Sequence, residues 1–555
     1  MSSFISALRR ALLPLSALGL LFLALLLRWP RVWLVLVLVL TIPTIALGLY
    51  DWFQRGKTLT RNYPIAARIR WLFYDLRPFL RQYIVEGDLE GTPYSFEARN
   101  LVHARARGET DVHPFGSERN MDETGYTWIS HSIIPTTEPD KDPRVLVGND
   151  QSKQPYRASV FNTSAMSFGA LSARAIEALN WGAEQGGYYH DTGEGGLSEY
   201  HQKHNGDLVW EIGTGYFGCR DNQGRFDPDK FADKAQHDQV KMTEIKLSQG
   251  AKPGHGGLLP GSKVTQEIAR VRQVPAFQDC LSPRAHSAFS TPIQLLEFAA
   301  HMRDLSNGKP IGLKFCVGQP HEVMALMKAM LETGIYPDFI VVDGAEGGTG
   351  AAPLELSDWV GMPLIEGLVL VRNALVGTGL RKHIKLAASG KVYSGMGLAR
   401  NMAIGADWCN AARAFMFSIG CIQARRCHTG TCPTGITTQD PWRQRGLVPA
   451  VHAERAARFH RVTVQSLMEI VASAGLTHPQ ELQPHHLTTR RSGVEARGIQ
   501  ELHTFLPENS LLDDPEDTPY RDWWKAAAAD SFKPRHDPEA RVQAQSKQHE
   551  ETSRL

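Results

Sequence analysis

Three of the seven cysteines fall within a dozen residues: Cys421, Cys427 and Cys432, in the string Cys421-Ile-Gln-Ala-Arg-Arg-Cys427-His-Thr-Gly-Thr-Cys432-Pro-Thr-Gly. Soft thiolates this close together most readily share a metal centre. Four-cysteine sites usually hold zinc or a full cubane cluster. Here three ligands are local, and Cys219, Cys280, Cys316 and Cys409 stand singly. Three ligands suit an iron–sulfur cluster with one vacant corner, a [3Fe-4S] type; three buried structural cysteines that bind nothing are the alternative. Pro433 and Gly435 stop any helix and let backbone N–H groups turn toward the sulfurs.

Other residues with chemistry to offer follow short apolar runs. Phe339-Ile-Val-Val-Asp343 leads into Gly344, Gly347, Gly348, Thr349 and Gly350, and Ile384–Ala387 leads into Ala388-Ser389-Gly390-Lys391. Glycine lets backbone amides approach an anion closely, so two such loops after successive strands read as a phosphate site; either alone reads as a bare turn. Lys314 ends the run Ile311–Phe315, where a lone lysine usually faces solvent. The loop Asp191–Gly196 carries Glu194, which in a dry site can hold or shuttle a proton and on a surface is an ordinary turn residue. Alternation puts Lys246 on a strand face, with Gln249 and Lys252 in the next loop. Such cationic and amide groups clamp the two carboxylates of a dicarboxylic acid, or else form a basic surface loop. Met166 and Ser167 follow the run Ser159–Ala165; core packing is the plainer role for Met166.

These strings resemble, in order, the synthase domain of the glutamate synthase family. The match is carried by Met166-Ser-Phe-Gly-Ala-Leu-Ser172, Asp191-Thr-Gly-Glu-Gly-Gly196, Gln249–Gly261, Asp343–Pro353 and the cysteine motif with its following Pro-x-Gly-x-x-Thr-Gln, over about residues 150–475. The resemblance implies an α/β fold, a (β/α)8 TIM barrel holding flavin mononucleotide (FMN) and a [3Fe-4S] cluster. It sets Met166 and Ser167 beside the isoalloxazine and Lys314 near its N1–C2=O edge. It sets Asp343, Gly344, Gly347, Gly348, Thr349, Ser389, Gly390, Lys391 and Arg413 around the rest of the flavin, and Glu194, Lys246, Gln249 and Lys252 at the 2-oxo acid. The implied reaction is reductive amination of 2-oxoglutarate to glutamate, with electrons from an external donor: a ferredoxin, a reductase subunit or a quinone. The same enzyme run in reverse, as a membrane-linked amino-acid or N-alkyl amino-acid dehydrogenase, and a non-catalytic scaffold subunit are the alternatives. The family's Gly-Phe-Gly is here Asn410-Ala-Ala412, and its Pro-Pro-Pro-His-His is here Ser282-Pro-Arg-Ala-His286, so the substrate is less determined than the cofactor. The amidotransferase domain and glycine-repeat β-helix of the full-size enzymes have no counterpart among these motifs, which points to ammonia from outside this chain. No Gly-x-Gly-x-x-Gly opens a nicotinamide-binding unit.

The elements that must position these residues alternate along the 555-residue chain: short β-branched runs, then helical stretches such as Pro320–Thr333 and Gly397–Ile404. Residues 450–475 read as an amphipathic helix. Sixty basic against 58 acidic residues give no support to nucleic-acid binding, and unpaired, sparse cysteines suit a reducing compartment. Ala11–Leu27 and Val32–Tyr50 are uncharged runs, each near the ~20 residues that span a bilayer. With Pro30 between them and Arg9, Arg10, Arg55, Lys57, Arg61, Arg68 and Arg70 outside them, they predict two transmembrane helices in a hairpin, in a cell membrane, with the catalytic body cytoplasmic; a cleaved signal peptide is the alternative. The expected division is a hairpin over 1–57, a juxtamembrane extension over 58–150, the barrel over 151–490 and a polar tail over 491–555, loosely ordered after about 505.

Overall fold

The computed structural model describes residues 30–112 and 114–535. The chain divides into two compact units, one ending at Gly91 and the other beginning at Thr92. The first unit corrects the membrane expectation. Among the described residues no helix is long and apolar enough to cross a membrane. The first apolar run, Ala11–Leu27, lies outside the described residues. The second forms the helix Pro30–Phe53, with Pro43 inside it. Counting uncharged residues overrated this run, because Thr41 and Thr44 interrupt it and turn their hydroxyls back to the carbonyls of Val37 and Leu40. Its last turn is not apolar either: Asp51 is buried and accepts from the Arg68 guanidinium and the Ile65 amide on the following segment. The two-helix hairpin, and the membrane location and cytoplasmic orientation built on it, are therefore set aside.

The second unit is organised by a closed barrel of eight parallel strands. They are β1 Phe161–Thr163, β2 His190–Asp191, β3 Leu208–Ile212, β4 Val240–Lys246, β5 Ile311–Phe315, β6 Phe339–Asp343, β7 Lys385–Ser389 and β8 Trp408–Ala411. Each pairs with its neighbours in chain order, and β8 closes on β1. Every residue of β3, β5 and β6 is buried, as strands must be when a ring of helices covers one face and the barrel interior the other. Register then fixes height: Lys314 lies level with Lys246 and Val341, and Asp343 with Ser389. The residues singled out at the ends of the apolar runs therefore collect at the carboxyl rim, where barrels of this kind build their sites.

The helices of this unit include α1 Ala173–Gly186, α2 Pro228–Ala235, α3 Gln266–Arg272, α4 Pro292–Leu305, α5 Pro320–Thr333, α6 Leu364–Gly377, α7 Gly395–Ile404 and α8 Pro449–Ser473. Serine or threonine caps start several: Ser172 accepts from Ala175 N, Thr265 from Ile268 N, Thr291 from Gln294 N and Ser394 from Gly397 N. The long α8 lies along α1, where small residues let the backbones approach: a Cβ on Gly182 would sit 2.8 Å from the Ala456 Cβ. Over residues 506–535 the chain is packed, where its composition suggests a loosely ordered tail; the rest of that expected tail lies outside the described residues. Leu506, Leu511 and Tyr520 are buried, and Asn373 on α6 bonds both Leu506 N and the Tyr520 hydroxyl. A few apolar residues spaced among charges suffice to fix such a strap, each contributing roughly 1.5–3 kcal/mol when fully buried.

Candidate active site

The carboxyl rim carries a narrow cleft lined by Glu194, Thr214, Lys246, Gln249, His255 and Arg284 among others. Lys246 ends β4, and its ammonium lies 3.0 Å from Glu194 of the loop after β2. Burial alone would raise the Glu194 carboxyl, but the Lys246 charge and hydrogen bond, with Lys252 and Arg272 nearby, hold its pKa down to about 2. Glu194 is therefore an anion at any physiological pH. Lys252 is buried, and burial lowers its pKa against the pull of Glu194. His286 fixes this wall from behind: it bonds the Tyr216 hydroxyl at 3.0 Å and the Lys246 carbonyl at 2.9 Å, and burial pushes its pKa down to about 4. Of the four residues expected at the substrate, Glu194, Lys246 and Gln249 line this cleft, and Lys252, outside its lining, is near enough for its charge to act on Glu194.

Lys314 stands deeper in the barrel. Its ammonium lies 2.5 Å from Glu211 of β3 and 3.8 Å from Glu244 of β4. Among the described residues, the one set of His, Cys, Asp or Glu whose ligand atoms all lie within 4.8 Å of one another is Asp191, Glu211 and Glu244. An ammonium already fills the cation position there. Burial and then the Glu211 charge push Asp191 up to about 7, and burial followed by Asp191 raises Glu244 well above the carboxylate range. Burial disfavours the Lys314 charge, but the carboxylates around it hold the lysine protonated. Glu211 and Glu244 were missed in the sequence. Their signal was slight: Glu211 is the lone polar residue of Leu208–Ile212, and Glu244 is the lone acid of the mixed strand Val240–Lys246.

The two glycine-rich loops meet. Gly344 N donates to the Ser389 carbonyl at 2.7 Å, and Ser389 Oγ lies 3.5 Å from Ser164 Oγ at the end of β1. Asp343 turns aside to accept from Gly250 N at 2.8 Å. That approach requires glycine, since a Cβ at Gly250 would lie 1.7 Å from the Gly344 carbonyl oxygen. Arg413 donates to the Glu346 carbonyl at 2.7 Å, and a Cβ on Gly348 would lie 2.8 Å from its guanidinium carbon. Lys391 lies close enough that Arg413, after burial, lowers its pKa. Two cations at a glycine edge fit a phosphate group, although the Glu346 carboxylate is near enough to act on Lys391. Gly347 lies in the same loop, Thr349 is exposed at its tip, and Gly390 joins Ser389 to Lys391. Met166 is buried, and Ser167 accepts from Arg272 of α3 at 3.3 Å.

Cys421, Cys427 and Cys432 follow the short helix Arg413–Ser418. Gln423 N points at the Cys421 sulfur at 3.5 Å, and the Thr434 hydroxyl lies 3.4 Å from that of Cys432. Burial pushes Cys421 up to about 12 and raises Cys427; burial raises Cys432 too, but hydrogen bonds from Thr434 and Thr437 outweigh it and its pKa falls. One tetrahedral zinc, with Zn–S of about 2.3 Å, needs its sulfurs about 3.8 Å apart, and these three are not all within 4.8 Å of one another. Thiols set wider than one ion requires, with N–H and O–H donors turned to them, fit a multinuclear cluster.

Residues 119–477 match the family described as the conserved region in glutamate synthase. Glutamate synthase large subunit-like protein YerD of Bacillus subtilis (strain 168) is 34% identical over 516 residues, 84% of this chain and 98% of that one. An archaeal glutamate synthase [NADPH] of Archaeoglobus fulgidus is 33% identical over 60% of this chain, which spans 62% of its length. A glutamate synthase large subunit-like protein of Rhizobium meliloti is 29% identical over 70% of this chain and 89% of its own.

Proposed function

The chain belongs to the glutamate synthase family, and from that premise we propose that it is an oxidoreductase carrying FMN and a [3Fe-4S] cluster. It reductively aminates a 2-oxo acid, foremost 2-oxoglutarate, to the amino acid, taking ammonia and electrons from outside the chain. The observation that carries this reading is the Glu194–Lys246 pair, 3.0 Å apart at the carboxyl rim, with Lys252 and Gln249 beside it.

Lys246 and Lys252 receive the carboxylates of the 2-oxo acid, and Gln249 offers an amide to the same groups. An arriving carboxylate competes with Glu194 for Lys246 and frees the Glu194 anion to face the nitrogen. Parted from Lys246, Glu194 keeps the charges of Lys252 and Arg272 nearby, which favour its anion against burial, and as an acceptor it steadies the ammonium and the iminium formed from ammonia and the ketone. Flavin mononucleotide, when bound, supplies the hydride. Gly348, Lys391 and Arg413 hold its phosphate, Met166 and Ser167 line its ring, and Cys421, Cys427 and Cys432 hold the cluster. Lys314 acts at a distance, since its ammonium is engaged by Glu211 and Glu244. The reverse reaction as a membrane-linked dehydrogenase has lost the spans it rested on.

The test is anaerobic turnover of the flavin-loaded protein with 2-oxoglutarate, ammonium and a reduced dye. Glutamate should form in proportion to dye oxidised. Loaded protein that makes none, or that releases the dinucleotide on denaturation, sinks the reading.

A further inference from the structure

Lys263 is buried and, among the described residues, has no carboxylate partner. It ends the turn Gly261–Lys263 that leads into α3. Its ammonium donates to three carbonyls: Ala170 at 3.0 Å, Cys427 at 3.3 Å and Thr437 at 3.3 Å. Cys427 and Thr437 belong to the cysteine loop. Ala170 belongs to the other side of the site, the loop after β1 that carries Met166 and Ser167. Two further contacts cross the same seam. The Gln439 amide donates to the Gly169 and Leu171 carbonyls, each at 3.0 Å, and Ser172 N donates to the Ile436 carbonyl at 2.8 Å. Those neutral bonds would hold the two loops together by themselves. The lysine adds a positive charge near Cys427 and Cys432 from a dry position, where burial draws its pKa down to about 8 and the two thiolates pull it the other way.

We propose that Lys263 is a positioning residue of the cysteine site, whose ammonium ties the cysteine loop to the loop 166–171 and raises the reduction potential of the cluster the three thiolates hold. The inference rests on the [3Fe-4S] reading of those cysteines. Reduction adds one electron to the cluster and breaks no protein bond, so it makes the site one unit more negative. A fixed cation a few ångströms away favours that state, the more so where water is excluded. The three carbonyl acceptors use the ammonium protons without cancelling the charge.

The experiment is a potentiometric titration of the full-length protein, followed by the low-temperature spin resonance of the oxidised cluster, with iron and sulfide counted beside it. Lys263→Gln keeps a donor to the carbonyls and removes the charge; Lys263→Arg keeps the charge. The Gln variant should retain its iron while the reduced-to-oxidised ratio at a fixed potential falls at least tenfold, about 59 mV for one electron. The Arg variant should stay close to wild type. An unchanged potential in Lys263→Gln, or an equal fall in both variants, overturns the proposal. Should Lys263→Gln shed its iron, retention of iron and potential in Lys263→Arg upholds it and loss from both overturns it. Wild-type protein without iron fails the cluster reading instead, so the two failures are distinct.

Discussion

Glu194 and Lys246 illustrate how one contact can serve both rest and turnover. Paired, they neutralise each other across 3.0 Å; parted by a dicarboxylate, each meets a charge of opposite sign on the reactants. Lys252→Ala should then raise KM for 2-oxoglutarate about 10- to 100-fold, the value of one hydrogen bond between charged groups, and leave kcat less affected. A mono-carboxylate 2-oxo acid should show a smaller loss; equal losses for both acids would take Lys252 away from the substrate. The trio Asp191, Glu211 and Glu244 makes a separate prediction about pH. Burial and like charge raise Glu244 above its unfolded value. The folded protein therefore binds a proton that the unfolded chain releases, and stability falls as pH rises from the ordinary carboxylate range toward the raised value. Glu244→Gln should flatten that slope in thermal melts taken across the acid-to-neutral range. A slope as steep as wild type would mean that the proton sits elsewhere.

Between elements, the seam of α1 with α8 decides how firmly the first barrel strand and its loop are held. Ala453, Ala456 and Ala457 face Gly182 and Gly186 without room for a side chain, and His460 of α8 bonds Ser159 just before β1 at 2.9 Å. Gly182→Val should cost about 1–3 kcal/mol by overpacking, read as a lower denaturant midpoint with unchanged slope; a loss under a few tenths would show a seam looser than drawn. The phosphate loops offer a second test. Lys391→Ala should weaken flavin retention while leaving melts of flavin-free protein unchanged, and full flavin content in the variant would remove Lys391 from the site. Both the helices and the loops were largely legible in the sequence, because a barrel repeats one local pattern: an apolar run, a polar or glycine-rich turn, an amphipathic helix. Lys246, Gln249 and Lys252 announced themselves by position after such a run. Glu211 and Glu244 did not, because an acid within an apolar strand looks like a blemish until register brings its neighbours beside it. Lys263 and Gln439 were invisible for the same reason: their partners lie on loops distant in sequence, and only tertiary folding supplies the acceptors. The N-terminal run misled in the opposite direction: local composition did not weigh Thr41, Pro43 and Thr44 within it or the buried Asp51 at its end.

At the scale of the whole molecule, the question is where nitrogen comes from. Glutamine hydrolysis needs a thiolate with a supporting base. All seven cysteines are placed. Cys421, Cys427 and Cys432 share one loop and are committed to it. Cys219, Cys316 and Cys409 are buried, and burial pushes each thiol up to about 12, so that at neutral pH each is held as the thiol. Cys280 is buried in the short strand Cys280–Leu281, with the Arg272 guanidinium 3.9 Å from its sulfur. On the proposed reading ammonia reacts in the barrel, and none of the four single cysteines is set up to liberate it from glutamine. Purified full-length protein incubated with glutamine should release no more ammonia than a heat-inactivated control. The same protein given ammonium should make glutamate at a rate that saturates with ammonium concentration. Ammonia release abolished by Cys219→Ser, Cys280→Ser, Cys316→Ser or Cys409→Ser would show that one of these buried thiols opens to solvent in the working enzyme and that the chain carries its own nitrogen source.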